Sequence, residues 1–138
     1  MPKRRIFISF DHDDTEKVNG FLGLRNILDN FEFYNHKLDY RINSTDVNYV
    51  MKVIRDEFIN PASVTVVLIG NRTANSSWVT WEIDESKRQG KGILGIRLKD
   101  TYGNNPSGIP QNHIGDWQPD KFIDWIEWAY QNRGVNYA

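Results

Sequence analysis

A chain of 138 residues, 39% apolar and 25% charged, suits one globular domain with a real hydrophobic core. Its 17 basic and 18 acidic side chains leave a net charge of -1, which excludes the charge excess of a nucleic-acid or membrane-surface binder. The absence of cysteine excludes disulfides, thiol nucleophiles and thiolate metal sites, and fits a reducing, cytoplasmic setting.

The basic start Met1-Pro2-Lys3-Arg4-Arg5 does not read as a secretion signal. The apolar run after it, Ile6 to Phe10, is too short and is broken by Ser9 and Asp11. No segment approaches the ~20 apolar residues of a membrane span. The glycosylation sequons at Asn43, Asn71 and Asn75 are therefore expected to go unmodified.

Ile6-Phe7-Ile8-Ser9-Phe10 is a β-branched and aromatic run that predicts a buried first strand. The acidic cluster Asp11-His12-Asp13-Asp14 follows, and Asp13 or Asp14 is expected to cap the next helix. Val18, Phe21, Leu22, Leu24 and Leu28 give that helix an apolar face. A second strand is read at His36 to Tyr40, then a polar loop from Arg41 to Asp46. Val47, Val50, Met51, Ile54 and Phe58 carry helical spacing.

Val64 to Gly70 is the clearest strand, continuously apolar apart from Thr65, as a strand covered on both faces should be. A polar loop, Asn71 to Ser77, leads into a helix from about Trp78 to Gln89, with Gly90 as its stop. Ile93 to Leu98 is another buried strand. Thr101 to Gly108 is loop, and a short final strand is expected within Ile109 to Trp117. Pro119-Asp120 opens a last helix with Phe122, Ile126 and Ala129 on one face.

This alternation predicts one domain over residues 1–138, a flavodoxin-like three-layer α/β/α sandwich with a parallel sheet of about five strands. Ligands of such folds bind at the carboxyl ends of the strands. Three groups fall there: Ser9, Phe10 and Asp11; Asp39 with the loop to Asp46; and Ser76 to Glu82.

Trp78 and Glu82 lie four residues apart, one helical turn on one face. The indole offers a flat surface for a nicotinamide or adenine ring. A carboxylate beside a ribose can bind its hydroxyls and stabilise positive charge developing at the anomeric carbon, as glycosidase carboxylates do. By spacing alone such a Trp is more often packed and such a Glu more often solvated, and Asp84 and Glu85 are acidic neighbours.

Other chemistries lack their residues. A phosphoacceptor receiver domain needs an Asp at the end of the third strand, where this chain has Leu68-Ile69-Gly70-Asn71. There is no dinucleotide-binding glycine motif and no P-loop lysine. His12, His36 and His113 show no metal-ligand spacing and read as loop or surface histidines, so neither metal nor resident cofactor is expected. The aromatic last helix, with Trp125, Trp128 and Tyr130, reads as packing or a partner surface.

Two segments resemble TIR domains. Ile6-Phe7-Ile8-Ser9-Phe10 is similar to their opening strand, and Ser76-Ser77-Trp78-Val79-Thr80-Trp81-Glu82 resembles the pattern S-x-W-C-x-x-E, with Val79 where Cys is common. Ser63 to Gly70, Trp78 to Ile83 and Gly92 to Ile96 resemble, in order and spacing, the bacterial group that includes the TIR protein of Thoeris anti-phage defence. The likeness covers roughly residues 4–99.

The resemblance implies an enzyme that consumes NAD as substrate and cleaves its nicotinamide–ribose bond. The product would be a cyclic or conjugated ADP-ribose signal read by a separate effector protein. It implies that Glu82 is catalytic, and that Phe10 and Trp78 line the nicotinamide side. Ser9, Asp11 and Asp39 are further substrate contacts on this reading. The family's loop after the second strand often carries Gly, and Arg41 to Asp46 has none. The alternatives are a non-catalytic TIR module that associates with itself or with other TIR domains, and a flavodoxin-like nucleotide-binding protein without NAD cleavage.

Overall fold

The computed structural model describes residues 4–11, 14–23, 31–34 and 46–134. Strands form where β-branched and aromatic residues run together: β1 (Arg4–Phe10), β2 (Phe31–Tyr34), β3 (Val64–Ile69), β4 (Gly92–Arg97) and the two-residue β5 (Ile114–Gly115). They make one parallel sheet in the order β2-β1-β3-β4-β5. That is the flavodoxin-like order, with its switch point between β1 and β3.

The second strand lies upstream of where the sequence pattern put it. Phe31-Glu32-Phe33-Tyr34 alternates with period two and pairs Arg4↔Phe31 through Phe7↔Tyr34. Residues 36–40, read as that strand, lie outside the described residues, as do Leu24 and Leu28 of the expected first helical face.

Helices α1 (Thr15–Leu22), α2 (Val47–Val53), α3 (Ser77–Arg88) and α4 (Phe122–Gln131) cover the sheet. One face carries Ile6, Ile8, Phe10, Val66, Leu68, Leu94 and Ile96 against Val18 and Phe21 of α1 and Phe122, Ile126 and Ala129 of α4. The other carries Phe7, Val67, Ile69 and Ile93 against Val50 of α2 and Val79 and Ile83 of α3. Apolar side chains on both faces explain why β3 is buried along its whole length.

The expected helix at 47–58 holds its α form only to Val53, and Ile54–Ile59 continues as a π-helix. Its wider turn brings Ile54, Phe58 and Ile59 all into the core. Asp46 caps α2 by accepting from Tyr49 N at 3.2 Å.

α3 has both of its expected ends. Ser76 caps it by accepting from Val79 N at 3.3 Å. Gly90, at φ 72°, closes it with Lys91 N donating to Ser86 O and Gly90 N to Lys87 O, each at 3.0 Å. That paired closure needs a left-handed residue, which Gly supplies without strain. Among the described residues no helix is long and apolar enough to cross a membrane.

Candidate active site

Neighbouring residues of a strand point to opposite faces, so Ser9 and Phe10 part company at the end of β1. Ser9 points to the α3 face and Phe10 to the α1 and α4 face. Helix α3 follows β3 and packs on β1, β3 and β4. Its inward side therefore meets Ser9.

Ser9 Oγ donates to Glu82 Oε1 at 2.7 Å, and both residues are fully buried. Their register row also holds Val67 and Gly95, which face Ser9 successively across β3 and β4. One turn further along α3, Ser86 Oγ donates to Glu82 O at 2.7 Å and meets Thr65 Oγ1 at 2.7 Å. Two polar ties thus bind α3 to β1 and β3 within an apolar interface. Thr65 and Ser86 carried no sequence signal, because small hydroxyl residues occur as readily on surfaces.

The three acidic residues of α3 have different settings. Asp84 is exposed. Glu85 accepts from Arg88 Nε at 3.0 Å, from Arg88 Nη2, and from Gln89 Nε2 at 3.1 Å. The Arg88 guanidinium in particular holds the Glu85 carboxyl below the usual carboxylate range. Of the three, Glu82 is the one turned toward the carboxyl-end half of the sheet.

Trp78, in the first turn of α3, is half-buried and packs edge-to-face on Trp81 at 6.1 Å. It borders the cluster of Phe7, Ile54 and Phe58. Phe10 is not brought to Glu82, in contrast to the expectation that both line one pocket. It is fully buried in the core with Val18 and Phe21, across the sheet. Asp11 is half-buried at the end of β1, and its carbonyl accepts from Asp14 N at 2.9 Å. Asp39 and residues 41–45 lie outside the described residues.

Asp14 departs from its expected role. It stands at the N-cap of α1 without a side-chain capping bond. Its carboxylate instead sits against Gly70 and takes a bond from Thr73 Oγ1 at 3.5 Å, while Thr73 Oγ1 accepts from Gly70 N at 2.7 Å. A Cβ on Gly70 would lie 2.1 Å from Asp14 Oδ2, so the carboxylate occupies the space of a side chain. This ties the start of α1 to the end of β3 at the switch point.

His113 is also not the surface residue its loop setting suggested. It is 1% exposed, its Nδ1 lies 2.9 Å from Ile93 O, and its ring meets Trp128 edge-to-face at 4.7 Å. A carbonyl only accepts, so Nδ1 carries the proton. His113, Trp125 and Trp128 line a cavity of ≈ 400 Å³ beside β5, with Trp125 on the α4 side. Among the described residues no group of three or more His, Asp or Glu could hold a metal ion.

Residues 7–102 match the model of a family described as "Thoeris protein ThsB, TIR-like domain". A protein of Bacillus cereus (strain MSX-D12), named "Putative cyclic ADP-D-ribose synthase ThsB1", is 47% identical over a match covering 51% of this chain and 46% of its own. The matched region thus spans less than half the length of that relative.

Proposed function

The chain belongs to the family of the Thoeris protein ThsB TIR-like domain, and from that membership we propose that it is a signal-producing enzyme of anti-phage defence that consumes NAD. Glu82, buried at the switch point and held by Ser9, is the observation that carries this reading. The similarity to a protein named as a cyclic ADP-ribose synthase supports it.

In the proposed step the bond between nicotinamide nitrogen and ribose carbon breaks, and its electron pair leaves with nicotinamide. Glu82 stabilises the positive charge left on the ribose and accepts from its hydroxyls. Ser9 fixes the carboxylate's orientation. Trp78 supplies an apolar ring near the nicotinamide ribose. The ribose carbon then bonds to a hydroxyl oxygen or ring nitrogen, with the attacking group's proton released to solvent, giving a cyclic or conjugated ADP-ribose that a separate effector reads. NAD is the substrate, and no metal or resident cofactor enters the reading.

Because Glu82 is 0% exposed, NAD reaches it only after the carboxyl end of the sheet opens. A closed resting site suits an enzyme that must stay silent until infection is sensed. The same burial favours a second reading, in which Ser9–Glu82 is a structural tie within a non-catalytic TIR module.

The deciding experiment follows nicotinamide release from NAD, with the protein alone and with phage-infected lysate. Release that disappears in Glu82→Gln supports the enzyme, with a loss of about 10²–10³ expected for one charge-stabilising group. Gln keeps the side-chain volume and an oxygen for Ser9, so the variant should remain folded. No release under any activating condition, with TIR-dependent assembly intact, overturns the enzyme reading.

A further inference from the structure

Arg97 closes β4 on the same sheet face as Ser9, since Ile69↔Arg97 lies two residues beyond Val67↔Gly95. Its Nη2 donates to Asn105 Oδ1, a neutral acceptor on an exposed residue. Its Nη1 is buried and has no hydrogen-bond partner among the described residues. Among the described residues no carboxylate pairs with it, whereas Arg4, Arg55 and Arg88 each have one. A guanidinium held with a buried donor unused is poorly satisfied by the protein itself.

The surroundings keep that group in place. Leu98 N donates to Ile69 O at 2.9 Å, and Thr101 Oγ1 bonds Leu98 O at 2.6 Å. Tyr102 N donates to Asn71 Oδ1 at 2.7 Å. The connection after β4 is thereby tied across the carboxyl end of β3, and Asn105 returns to Arg97.

We propose that Arg97 is the anion-binding residue of the site and takes the pyrophosphate of the dinucleotide, which displaces Asn105 from the guanidinium. The proposal deepens the function argued above and rests on it for the identity of the substrate. Exchange of a neutral amide oxygen for phosphate oxygens replaces an ordinary hydrogen bond with charge-assisted, bidentate ones. Two strand spacings across and two residues along separate Arg97 from Ser9, about 12 Å between Cα atoms. A dinucleotide spans that interval, with its pyrophosphate one ribose away from the nicotinamide.

The test is calorimetric titration of the full chain with inorganic pyrophosphate, ADP-ribose and nicotinamide riboside. In Arg97→Met, which keeps the aliphatic stem, the first two should weaken by about tenfold or more while the riboside, lacking phosphate, changes little. Arg97→Lys should restore part of the affinity. Asn105→Ala should leave pyrophosphate binding unchanged or tighter, because it removes the competing acceptor.

Equal affinity of wild type and Arg97→Met, no binding of pyrophosphate or ADP-ribose to wild type, or an Asn105→Ala loss as large as that of Arg97→Met would each overturn the proposal. The last outcome would mean that Arg97 only anchors the loop. The pyrophosphate titration separates the two readings. Arg97-dependent binding together with no nicotinamide release under any activating condition would sink NAD cleavage and leave the anion site standing.

Discussion

Ser9 Oγ donates to Glu82 Oε1 across 2.7 Å, joining the next-to-last residue of β1 to the middle of α3 with no solvent at either group. Ser9→Ala removes that donor and leaves Glu82 Oε1 buried without it. We expect a loss of about 1–3 kcal/mol, read as a lower denaturant midpoint at unchanged slope. If Ser9 also orients the catalytic carboxylate, kcat for nicotinamide release falls more than KM changes. A fall in stability with kcat intact would confine Ser9 to packing.

The second tie of α3 should behave as a coupled unit. Ser86→Ala strands Thr65 Oγ1 inside the sheet–helix interface, costing about 1–3 kcal/mol. Thr65→Val removes the other partner. The double variant should cost less than the sum of the two singles, since neither hydroxyl is then left unmatched. Strict additivity in chemical denaturation would contradict the 2.7 Å contact between them.

Gly70 and Asp14 should show coupling of steric origin. Gly70→Ala places a methyl where the Asp14 carboxylate sits, 2.1 Å from Oδ2. Overpacking of that kind costs about 1–3 kcal/mol. Asp14→Ala clears the space, so Gly70→Ala should become far better tolerated in that background. A thermal melt of the four proteins in the cycle measures it, and an undiminished Gly70→Ala penalty would contradict the contact.

Acid should expose the Glu85–Arg88 pair. With its pKa lowered mainly by the Arg88 hydrogen bonds, Glu85 binds a proton more weakly in the folded chain than in the unfolded one. Its stabilisation is therefore present above the ordinary Glu range, about pH 4.3, and is lost as pH falls through the folded value. Glu85→Gln should flatten that acid limb in melts taken from pH 6 downward. An equal fall of Tm with pH in both proteins below about pH 4 would contradict the pairing.

Much of the frame was legible because parallel strands covered on both faces need unbroken apolar runs. β1, β3 and β4 announced themselves that way, and α3 carried its cap at Ser76 and its stop at Gly90. β2 went unread at Phe31–Tyr34 because four residues are too short a run to carry a clear period. Its pairing with β1 is what identifies it as a strand.

The site divided in the same way. The sequence alone determined that Trp78 and Glu82 share a helix beyond the central strand and that Ser9 lies near the carboxyl end of the first strand. Both are matters of local periodicity. Only the tertiary structure decided that Glu82 turns to Ser9, that Phe10 is carried to the opposite face, and that the Asp14 carboxylate turns from the helix start to Gly70. Those outcomes depend on how α1 and α3 lie across the sheet. Contacts 73 residues apart, such as Ser9 with Glu82, follow from strand order and helix packing and leave no period in the chain.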